Sequence, residues 1–347
     1  MLRDFHPKRL IIFSRDELKQ HEMRTNGLDD PSLRYFIGDV RDMDRLRRAM
    51  DGVDYVVHAA ALKQVPSCEY NPFEAVKTNV NGAQNVIDAA IDMGVKKVVA
   101  ISTDKAVNPV NLYGATKLCA EKIFVQGNSY SGPKGTRFSC VRYGNVIGSR
   151  GSVVPLFLEQ KQNGKVTITD KRMTRFWLTL DQAVEVVLKA FAYIQGGEIF
   201  VPKIASMKIV DLAKAIAPDC SIEMIGIRPG EKLHEILITK EDGRHTVEYD
   251  GLYVILPQLS LWQTQNYKNA KELTEGFNYT SDNNDQWLTI NILKKMIKEY
   301  SDSGSFEQIG SNFSYTASIG SLNSSPSMEK SNSKSPANKV QIDNFAN

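Results

Sequence analysis

The stretch KKVVAISTDKAVNPVNLYGATK, residues 96–117, decides the fold because it joins a buried strand to a helix through a polar turn. Lys96–Thr103 is rich in β-branched residues, which is typical of a strand. Tyr113–Gly127 has the spacing of an amphipathic helix. Parallel sheets bind ligands at strand ends of this kind. The stretch therefore predicts an α/β fold with a functional site directly after the strand.

The same alternation of strands and helices continues through the first half of the chain. It predicts a doubly wound parallel sheet of the Rossmann type, with helices on both faces. Asn71 is expected to cap one helix and Gly94 to end it, as Asn and Gly do at helix termini. The further strands predicted are Arg9–Ser14, Leu33–Asp39, Val53–Ala59 and Arg137–Val146, and the further helices are Asp42–Met50 and Pro72–Met93.

The alternation loosens after Gly148, and the sequence divides into three parts. Residues 1–147 are predicted to form the nucleotide-binding domain, and residues 148–300 mainly a smaller substrate-binding domain. Residues 301–347 are rich in Ser and Asn and poor in large apolar side chains, so they cannot bury enough surface to order themselves. We therefore expect a disordered tail after the second domain.

The composition of the 347-residue chain excludes several classes of protein. Its 43 Lys and Arg against 40 Asp and Glu give a net charge of +3 without a dense basic block, which argues against nucleic acid as a partner. No apolar run reaches the roughly 18 residues that span a bilayer, and the start lacks a signal peptide, so we expect a cytoplasmic protein without a membrane partner. The four cysteines lack zinc-site spacing, so we expect reduced thiols, mostly in the core, and no metal site.

Tyr113 and Lys117 form the clearest chemical pattern in the sequence. They stand four residues apart, so a helix places them on one face. An ammonium beside a phenol favours the phenolate and lowers the phenol pKa, which suits abstraction of a hydroxyl proton during hydride transfer. The same spacing is common in helices that have no catalytic role. Its position after the strand end Ser102–Lys105 favours the catalytic interpretation.

Asp104 and Lys105 add a second acid and base pair next to the first. Hydride transfer alone needs only one such pair. Loss of water after oxidation also needs a base at the carbon next to the new ketone and an acid at the leaving hydroxyl. The second pair therefore predicts dehydration, and the alternative is a charged turn exposed to solvent.

Ser14 and Arg15, at the end of the first strand, occupy the position of a 2′-phosphate site. An arginine pairs well with phosphate at this position, whereas an acidic residue would hold a ribose hydroxyl. The pattern favours NADP over NAD, although Asp16 follows directly. His58, at a later strand end, is interpreted as a packed residue and not as a catalyst or ligand.

Three separate arginines in the second half of the chain suit a nucleoside diphosphate. Arg150, Arg175 and Arg228 would contribute charge-assisted hydrogen bonds, and nearby aromatic residues could stack on a base. Each arginine alone is more often part of a surface ion pair. Together they favour a nucleotide-sugar ligand.

Five segments of this sequence resemble the inverting UDP-N-acetylglucosamine 4,6-dehydratases of the polysaccharide biosynthesis protein family. Those enzymes are extended short-chain dehydrogenase/reductases that open the pseudaminic acid pathway. The similarity extends from about Arg9 to about Leu293. The segments are STDKAVNPVNLYGATK (102–117), VRYGNVIGSRGSVVP (141–155), ITDKRMTRFW (168–177), GGEIFVPK (196–203) and IGIRPGEKLHE (225–235).

The resemblance implies a three-stage reaction with NADP as the cofactor. The implied catalytic residues are Thr103, Asp104, Lys105, Tyr113 and Lys117. Tyr113, assisted by Lys117, would take the proton of the sugar 4-hydroxyl while hydride passes to the nicotinamide. Lys105 would then take the proton at carbon 5, with Asp104 assisting loss of the 6-hydroxyl as water. Return of hydride to carbon 6 and protonation of carbon 5 from the opposite face would give UDP-2-acetamido-2,6-dideoxy-β-L-arabino-hexos-4-ulose. Retaining relatives carry Asp-Glu in place of Asp-Lys, which motivates the inverting assignment.

The resemblance also implies contacts for the cofactor and for UDP-N-acetylglucosamine, and it implies a homo-oligomer. The implied cofactor contacts are Ser14, Arg15, Asp16, Glu17, Leu18, Lys19, Asp39, Val40, Ala59, Lys63, Tyr113 and Lys117. The implied substrate contacts are Lys63, Asn145, Arg150, Gly151, Ser152, Val153, Val154, Thr169, Arg175, Arg228 and Glu231.

The sequence departs from the family pattern at its start. Relatives begin with a strand and a TGGTGSFG-like turn, which cradles the cofactor pyrophosphate, and the present sequence begins after that unit. We therefore expect weak NADP binding, low stability and little turnover from the chain as written. Two alternatives stay open: a retaining UDP-sugar 4,6-dehydratase or 4-epimerase, and a nucleotide-sugar-binding fragment without catalysis.

Overall fold

A seven-stranded sheet forms the centre of the computed structural model, which describes residues 5–132, 135–149, 152–258 and 267–302. The strands are β1 (Leu10–Ser14), β2 (Leu33–Ile37), β3 (Tyr55–His58), β4 (Lys97–Ile101), β5 (Arg137–Val141), β6 (Asn145–Val146), β7 (Lys165–Ile168), β8 (Thr174–Leu178), β9 (Ile199–Pro202), β10 (Ala205–Lys208), β11 (Ser221–Met224), β12 (Ile236–Ile238), β13 (Thr246–Tyr249), β14 (Leu252–Ile255), β15 (Lys271–Glu272) and β16 (Tyr279–Thr280).

Helices cover the sheet and link its parallel strands. They are α1 (Glu17–Thr25), α2 (Met43–Met50), α3 (Val65–Tyr70), α4 (Pro72–Val76), α5 (Gly82–Met93), α6 (Leu112–Gly127), α7 (Val153–Lys161), α8 (Leu180–Tyr193), α9 (Ile209–Ile216), α10 (Lys240–Gly243) and α11 (Ile290–Asp302), with a π-helical segment at Lys77–Asn81 and 3₁₀ turns at Asp104–Ala106 and Asn128–Tyr130.

The order of the large sheet is β15-β13-β14-β9-β5-β4-β3. Strands β3, β4, β5 and β9 are parallel, and β14, β13 and β15 extend the sheet in antiparallel pairs. Strands β1 and β2 form a separate parallel pair with Leu10 opposite Leu33. The predicted α/β fold with a parallel, helix-covered sheet is therefore confirmed. In the part of the chain that the structure describes, no helix is both long and apolar enough to cross a membrane.

The predicted strands of the first half are confirmed, with one correction. The strand predicted over Arg137–Val146 is divided, because β5 belongs to the large sheet while β6 pairs with β8 in a three-stranded sheet. The chain crosses between these sheets at Gly144, where a Cβ atom would lie 2.5 Å from the Phe176 Cβ. Only glycine permits this close approach.

The helix predicted over Pro72–Met93 is interrupted by the π-helical segment 77–81. The interruption carries Asn79, which is buried and whose side chain bonds both backbone groups of Leu62. A helix begins at Pro72 with Asn71 at its N-cap position, as predicted, but the Asn71 side chain makes no capping bond, and its Nδ2 instead donates to the Ser67 carbonyl. Gly94 ends the helix in the left-handed conformation, as predicted, with φ of 70°.

The hydrophobic cores do not divide at the predicted domain boundary, residue 148, because the larger core combines Phe138 with Phe176 and Leu237 from the later part. The larger core packs around the sheet, and a second core joins α7, α9, α11 and strands β7, β8 and β10. The later half of the chain also returns to the large sheet through β9, β13 and β14. The boundaries 1–147 and 148–300 stay a prediction, and residues 303–347 of the predicted tail lie outside the described residues.

The four cysteines are all free thiols, and they divide evenly between core and surface. Cys68 and Cys140 are buried, as expected, whereas Cys119 is exposed and Cys220 is half-buried. Across the described ranges, no cluster of three or more His, Cys, Asp or Glu side chains could hold a metal ion.

Candidate active site

The turn at Asp104–Ala106 connects the end of β4 to helix α6 and forms the floor of the candidate site. Asn111 caps the helix, with its Oδ1 accepting a hydrogen bond of 2.7 Å from the Gly114 amide. A Cβ atom at Gly114 would lie only 2.2 Å from the Lys105 carbonyl oxygen. The glycine between Tyr113 and Lys117 therefore lets the first helical turn pack directly against the backbone of the acid and base pair.

Tyr113 and Lys117 lie on α6 and are both buried. The Lys117 ammonium donates a hydrogen bond of 2.7 Å to the Ile101 carbonyl at the end of β4, and burial lowers its pKa. Burial raises the pKa of the Tyr113 phenol, while the nearby Lys105 charge and a hydrogen bond with Thr103 oppose this effect. The expected lowering of the phenol pKa is thus not seen, and the cation acting on the phenol is Lys105.

Asp104 and Lys105 form an ion pair whose carboxylate is buried and whose lysine is only 28% exposed, which does not fit the alternative of a charged turn exposed to solvent. Asp104 is fully buried, and its Oδ1 accepts hydrogen bonds from the Thr103 hydroxyl at 2.9 Å and the Lys105 ammonium at 3.1 Å. Its Oδ2 is buried without a hydrogen-bond partner among the described residues. Burial opposes the charged form of Lys105, but the carboxylates of Asp104 and Glu235 outweigh it and raise the pKa of this ammonium.

The segment Arg228–Glu235 covers the site from the second half of the chain. Lys232 Nζ donates to the carbonyl oxygens of Asp104 and Val107, the two ends of the catalytic turn. Glu235 is almost completely buried and lies 3.6 Å from the Lys105 ammonium. Neither Lys232 nor Glu235 was predicted as a site residue, although both lie in the segment IGIRPGEKLHE (225–235) that carries part of the family resemblance.

Arg175 reaches the same cluster from β8. Its guanidinium donates to the carbonyls of Thr174 and Leu233, and its Nε lies 3.7 Å from Glu235. Most of its hydrogen-bonding capacity therefore goes to protein groups. The structure brings Arg175 together with Asp104 and Lys105, as a site residue requires.

The described residues among the remaining predicted substrate contacts have different surroundings. The Asn145 Oδ1 and Ser152 Oγ atoms are buried and have no hydrogen-bond partner in the described ranges, so they could accept or donate to a ligand. The Val154 side chain instead packs in the second core, and Thr169 contacts the Met173 sulfur. Val153 packs beside that core. Arg228 is exposed, and its backbone amide donates to the Glu231 side chain. Arg150 and Gly151 lie outside the described residues.

The predicted cofactor residues gather at the ends of β1 and β2. The Asp16 carboxylate caps α1 by accepting a hydrogen bond of 3.0 Å from the Lys19 amide. This bond competes with a hydrogen bond to a cofactor ribose hydroxyl. Arg15 is half exposed and lies 3.5 Å from the Asp39 carboxylate. Hydrogen bonds from Arg41 hold the pKa of Asp39 below its usual range. Glu17 and Leu18 begin helix α1, and Val40 is buried after β2.

Lys63 lies between the cofactor residues and the acid and base pair. Burial lowers the pKa of its ammonium, and the charges of Lys19 and Lys105 lower it further. The charges of Lys19 and Lys105 that act on the Lys63 ammonium favour an anionic ligand near it. Ala59, at the end of β3, is exposed and leaves room beside this cationic region.

Comparison with known proteins finds one matching family model, described as polysaccharide biosynthesis protein, over residues 1–257. The UDP-N-acetylglucosamine 4,6-dehydratase (inverting) of Campylobacter jejuni subsp. jejuni serotype O:2 is 52% identical over 306 residues, covering 86% of this chain and 91% of that protein. The UDP-glucose 4-epimerase of Rickettsia prowazekii is 47% identical over 253 residues, which cover 72% of this chain and 74% of that protein. Among solved structures, Pen from Bacillus thuringiensis superposes with a TM-score of 0.78 at 42% identity, covering 85% of this chain and 90% of that chain.

Proposed function

Because the chain belongs to the polysaccharide biosynthesis protein family, we propose that it is an NADP-dependent UDP-N-acetylglucosamine 4,6-dehydratase that inverts carbon 5. The observation that carries the proposal is the ion pair of the buried Asp104 and the partly buried Lys105, whose charges both act on the Tyr113 phenol. This arrangement supplies the second acid and base that dehydration needs and that a simple hydride transfer does not.

Tyr113 is proposed to remove the proton of the sugar 4-hydroxyl. The phenol must ionise in a buried site, and the Lys105 charge together with the Thr103 hydroxyl favours its ionised form. The bound nicotinamide cofactor supplies the hydride acceptor and donor for the reaction. Lys117 contributes by fixing α6 to the end of β4 through the Ile101 carbonyl.

Asp104 and Lys105 are proposed to share the proton transfers of dehydration. In the resting site, the ammonium first passes a proton to Asp104, whose Oδ1 lies 3.1 Å away. The neutral amine of Lys105 then takes the proton from carbon 5, and the electron pair of that bond forms the double bond as the 6-hydroxyl leaves. Asp104 delivers its proton to the leaving hydroxyl, which departs as water. The charges of both residues return to their starting values.

The choice of NADP is supported by the surroundings of Ser14 and Arg15. Arg15 remains half exposed at the end of β1, where its guanidinium could pair with a 2′-phosphate in competition with Asp39. Asp16, which could have favoured a ribose hydroxyl, is engaged as a helix cap. The remaining cofactor residues are Glu17, Leu18, Lys19, Val40, Ala59 and Lys63, together with Tyr113 and Lys117.

UDP-N-acetylglucosamine is proposed as the substrate because it is named in the Campylobacter relatives. The buried polar atoms of Asn145 and Ser152 and the cationic region around Lys63 suit a nucleotide sugar. Thr169, Arg175, Arg228 and Glu231 complete the proposed contacts. A cytoplasmic homo-oligomer in the pseudaminic acid pathway follows from the same resemblance.

A 4-epimerase is the second candidate, because the Rickettsia relatives carry the name UDP-glucose 4-epimerase. Epimerisation at carbon 4 needs hydride transfer and a base such as Tyr113, without loss of water. The buried pair of Asp104 and Lys105 has no task in that reaction, so its position beside the phenol favours the dehydratase.

Proton NMR with UDP-N-acetylglucosamine in deuterated buffer tests the proposal, at enzyme concentrations high enough to detect slow turnover. The expected product is a 4-keto-6-deoxy sugar with deuterium at carbon 5 and L-arabino configuration. A product that keeps the D configuration at carbon 5 would show a retaining enzyme. A 4-epimer with its 6-hydroxyl intact would show an epimerase, and either result would overturn the proposal.

A further inference from the structure

Glu235 is a buried carboxylate surrounded by cations. Its Oε1 lies 3.6 Å from the Lys105 ammonium and 3.7 Å from Arg175 Nε, and its Oε2 lies 3.7 Å from the Lys232 ammonium. These separations are longer than hydrogen bonds, and Oε2 has no hydrogen-bond partner among the described residues. Glu235 therefore acts on its neighbours chiefly through its charge.

The backbone of Glu235 is held rigidly. Its amide donates to the Ser281 Oγ at 2.8 Å, and the Ser281 amide donates back to the Glu235 carbonyl at 2.8 Å. The Ser281 hydroxyl also lies 2.7 Å from the Thr174 hydroxyl on β8. These hydrogen bonds fix the backbone of Glu235. Its carboxylate, in contrast, is not held in place by a strong hydrogen bond among the described residues.

The charge balance of the cluster depends on this residue. Asp104 and Glu235 are the two carboxylates that face three cations, namely Lys105, Arg175 and Lys232. Without Glu235, Asp104 alone would offset the three positive charges in a buried site. Uncompensated buried charge is costly, so Lys105 would lose its proton more readily or move away from the cluster.

We propose that Glu235 is a positioning residue that holds Lys105 beside Asp104 and Tyr113 and keeps its proton on nitrogen until Asp104 receives it. Glu235 contacts neither of the proposed proton carriers by a hydrogen bond. The other charged or titratable groups that face Lys105 are Asp104 from its own turn, Arg175 from β8, Lys232 from the covering segment, Lys63 from the loop after β3 and Tyr113 from α6.

Competitive acetylation tests this proposal without requiring turnover. Intact protein is treated with trace acetic anhydride between pH 7 and pH 11, and the labelling of Lys105 is measured by peptide mass spectrometry. The Lys105 side chain is 28% exposed and can be reached. In E235Q the free amine fraction of Lys105 should rise about tenfold for each unit by which its pKa falls.

The matched control is E248Q. Glu248 lies on β13, away from the site, and it also forms an ion pair with a lysine, Lys203. E248Q should leave the labelling of Lys105 unchanged. Equal labelling of Lys105 in wild type and E235Q, with equal thermal stability, would overturn the proposal. If E235Q does not fold, E235D is used. The aspartate keeps the negative charge but places it one methylene farther from Lys105, so the labelling of Lys105 should rise less than in E235Q. No rise at all would overturn the proposal.

A kinetic arm rests on the proposed dehydratase function. E235Q should lower kcat at least tenfold, leave KM within about twofold and move the alkaline limb of the kcat profile to lower pH, with partial recovery in E235D. A raised KM with unchanged kcat would contradict a positioning role. If wild type produces no 4-keto sugar, the proposed function fails, and the labelling of Lys105 still decides the role of Glu235.

Discussion

Two ionic clusters contact helix α6, and they differ in how completely their polar atoms are hydrogen-bonded. In the first, Glu121 accepts from the Ser102 hydroxyl and from two nitrogens of Arg142, at distances between 2.5 and 3.1 Å. In the second, Asp104 and Glu235 each keep one oxygen without a hydrogen-bond partner among the described residues.

The difference separates a structural cluster from a chemical one. Arg142 also donates to the Leu237 carbonyl and to Asp242, so it joins β5, α6 and the segment around β12. A fully bonded network of this kind rigidifies the fold. Incompletely bonded carboxylates can accept or release protons without first breaking strong bonds, and native proteins concentrate such atoms at functional sites.

Asp104→Asn should have the largest effect on activity, because the amide cannot carry the proton to the leaving hydroxyl. We expect kcat for dehydration to fall by about 10²- to 10⁴-fold. The free energy of unfolding should fall by about 1–3 kcal/mol, less than for the Arg142 cluster, since the contacts of Asp104 with Lys105 and the Thr103 hydroxyl are weakened. Product formation followed by NMR and urea unfolding would measure the two quantities. A large loss of stability with little loss of kcat would reverse the distinction between the clusters.

Arg142→Ala should have the largest effect on stability, because it leaves the Glu121 carboxylate buried without its partner. We expect the free energy of unfolding to fall by about 3–5 kcal/mol, measured by urea denaturation. The control is the double variant Glu121→Leu with Arg142→Met, which removes both charges and should recover most of the loss. If the double variant is as unstable as the single one, the charge pair is not the cause.

Gly114→Ala should affect both clusters, because its Cβ atom would collide with the Lys105 carbonyl. We expect a loss of about 1–3 kcal/mol in unfolding free energy together with reduced kcat, since the catalytic turn must move. Gly127→Ala is the control on the same helix, where the nearest contact of a new Cβ is a flexible Ile87 methyl at 3.2 Å. Equal effects of the two variants would show that the close approach at Gly114 is unimportant.

His58 should give the smallest effect, and it separates charge from packing beside Lys117. Burial and the Lys117 charge lower the pKa of His58 to about 3, whereas its ordinary value is 6.5. The unfolded chain therefore binds a proton that the folded chain does not, so stability is lost as pH falls from 6.5 toward 3. We expect His58→Leu to remove about 1 kcal/mol of the decrease in unfolding free energy between pH 6.5 and pH 5.5. An unchanged pH slope in urea titrations would contradict this.

The sequence predicts well the parts of the molecule that depend on local patterns. Strand β4 and helix α6 follow from β-branched runs and from the spacing of Tyr113 and Lys117, and Gly94 ends its helix by a local conformational preference. Asn71 and Pro72 correctly mark a helix start, but the expected capping bond is absent because the Asn71 side chain donates backward to Ser67. Composition cannot decide between these two nearby partners.

Apart from Arg175, the residues of this cluster were predicted only where they are neighbours in the sequence. Asp104 and Lys105 were identified, but Glu235 and Lys232 reach them through tertiary folding across more than 100 residues. No periodicity connects such distant positions. The cation that acts on the Tyr113 phenol was also wrongly predicted. Helical spacing favoured Lys117, whereas in the folded protein it is the charge of Lys105 that opposes the rise in the phenol pKa.

The bonds from Lys232 to the carbonyls of Asp104 and Val107 also affect the order in which the protein becomes active during synthesis. A growing chain of about 200 residues already contains Asp104, Lys105, Tyr113 and Lys117, yet it lacks the segment that holds the turn. Domains generally begin to fold as they leave the ribosome, N-terminal part first. The proposed site is therefore complete only after the last third of the chain is made, whereas strands β3, β4 and β5 can pair earlier.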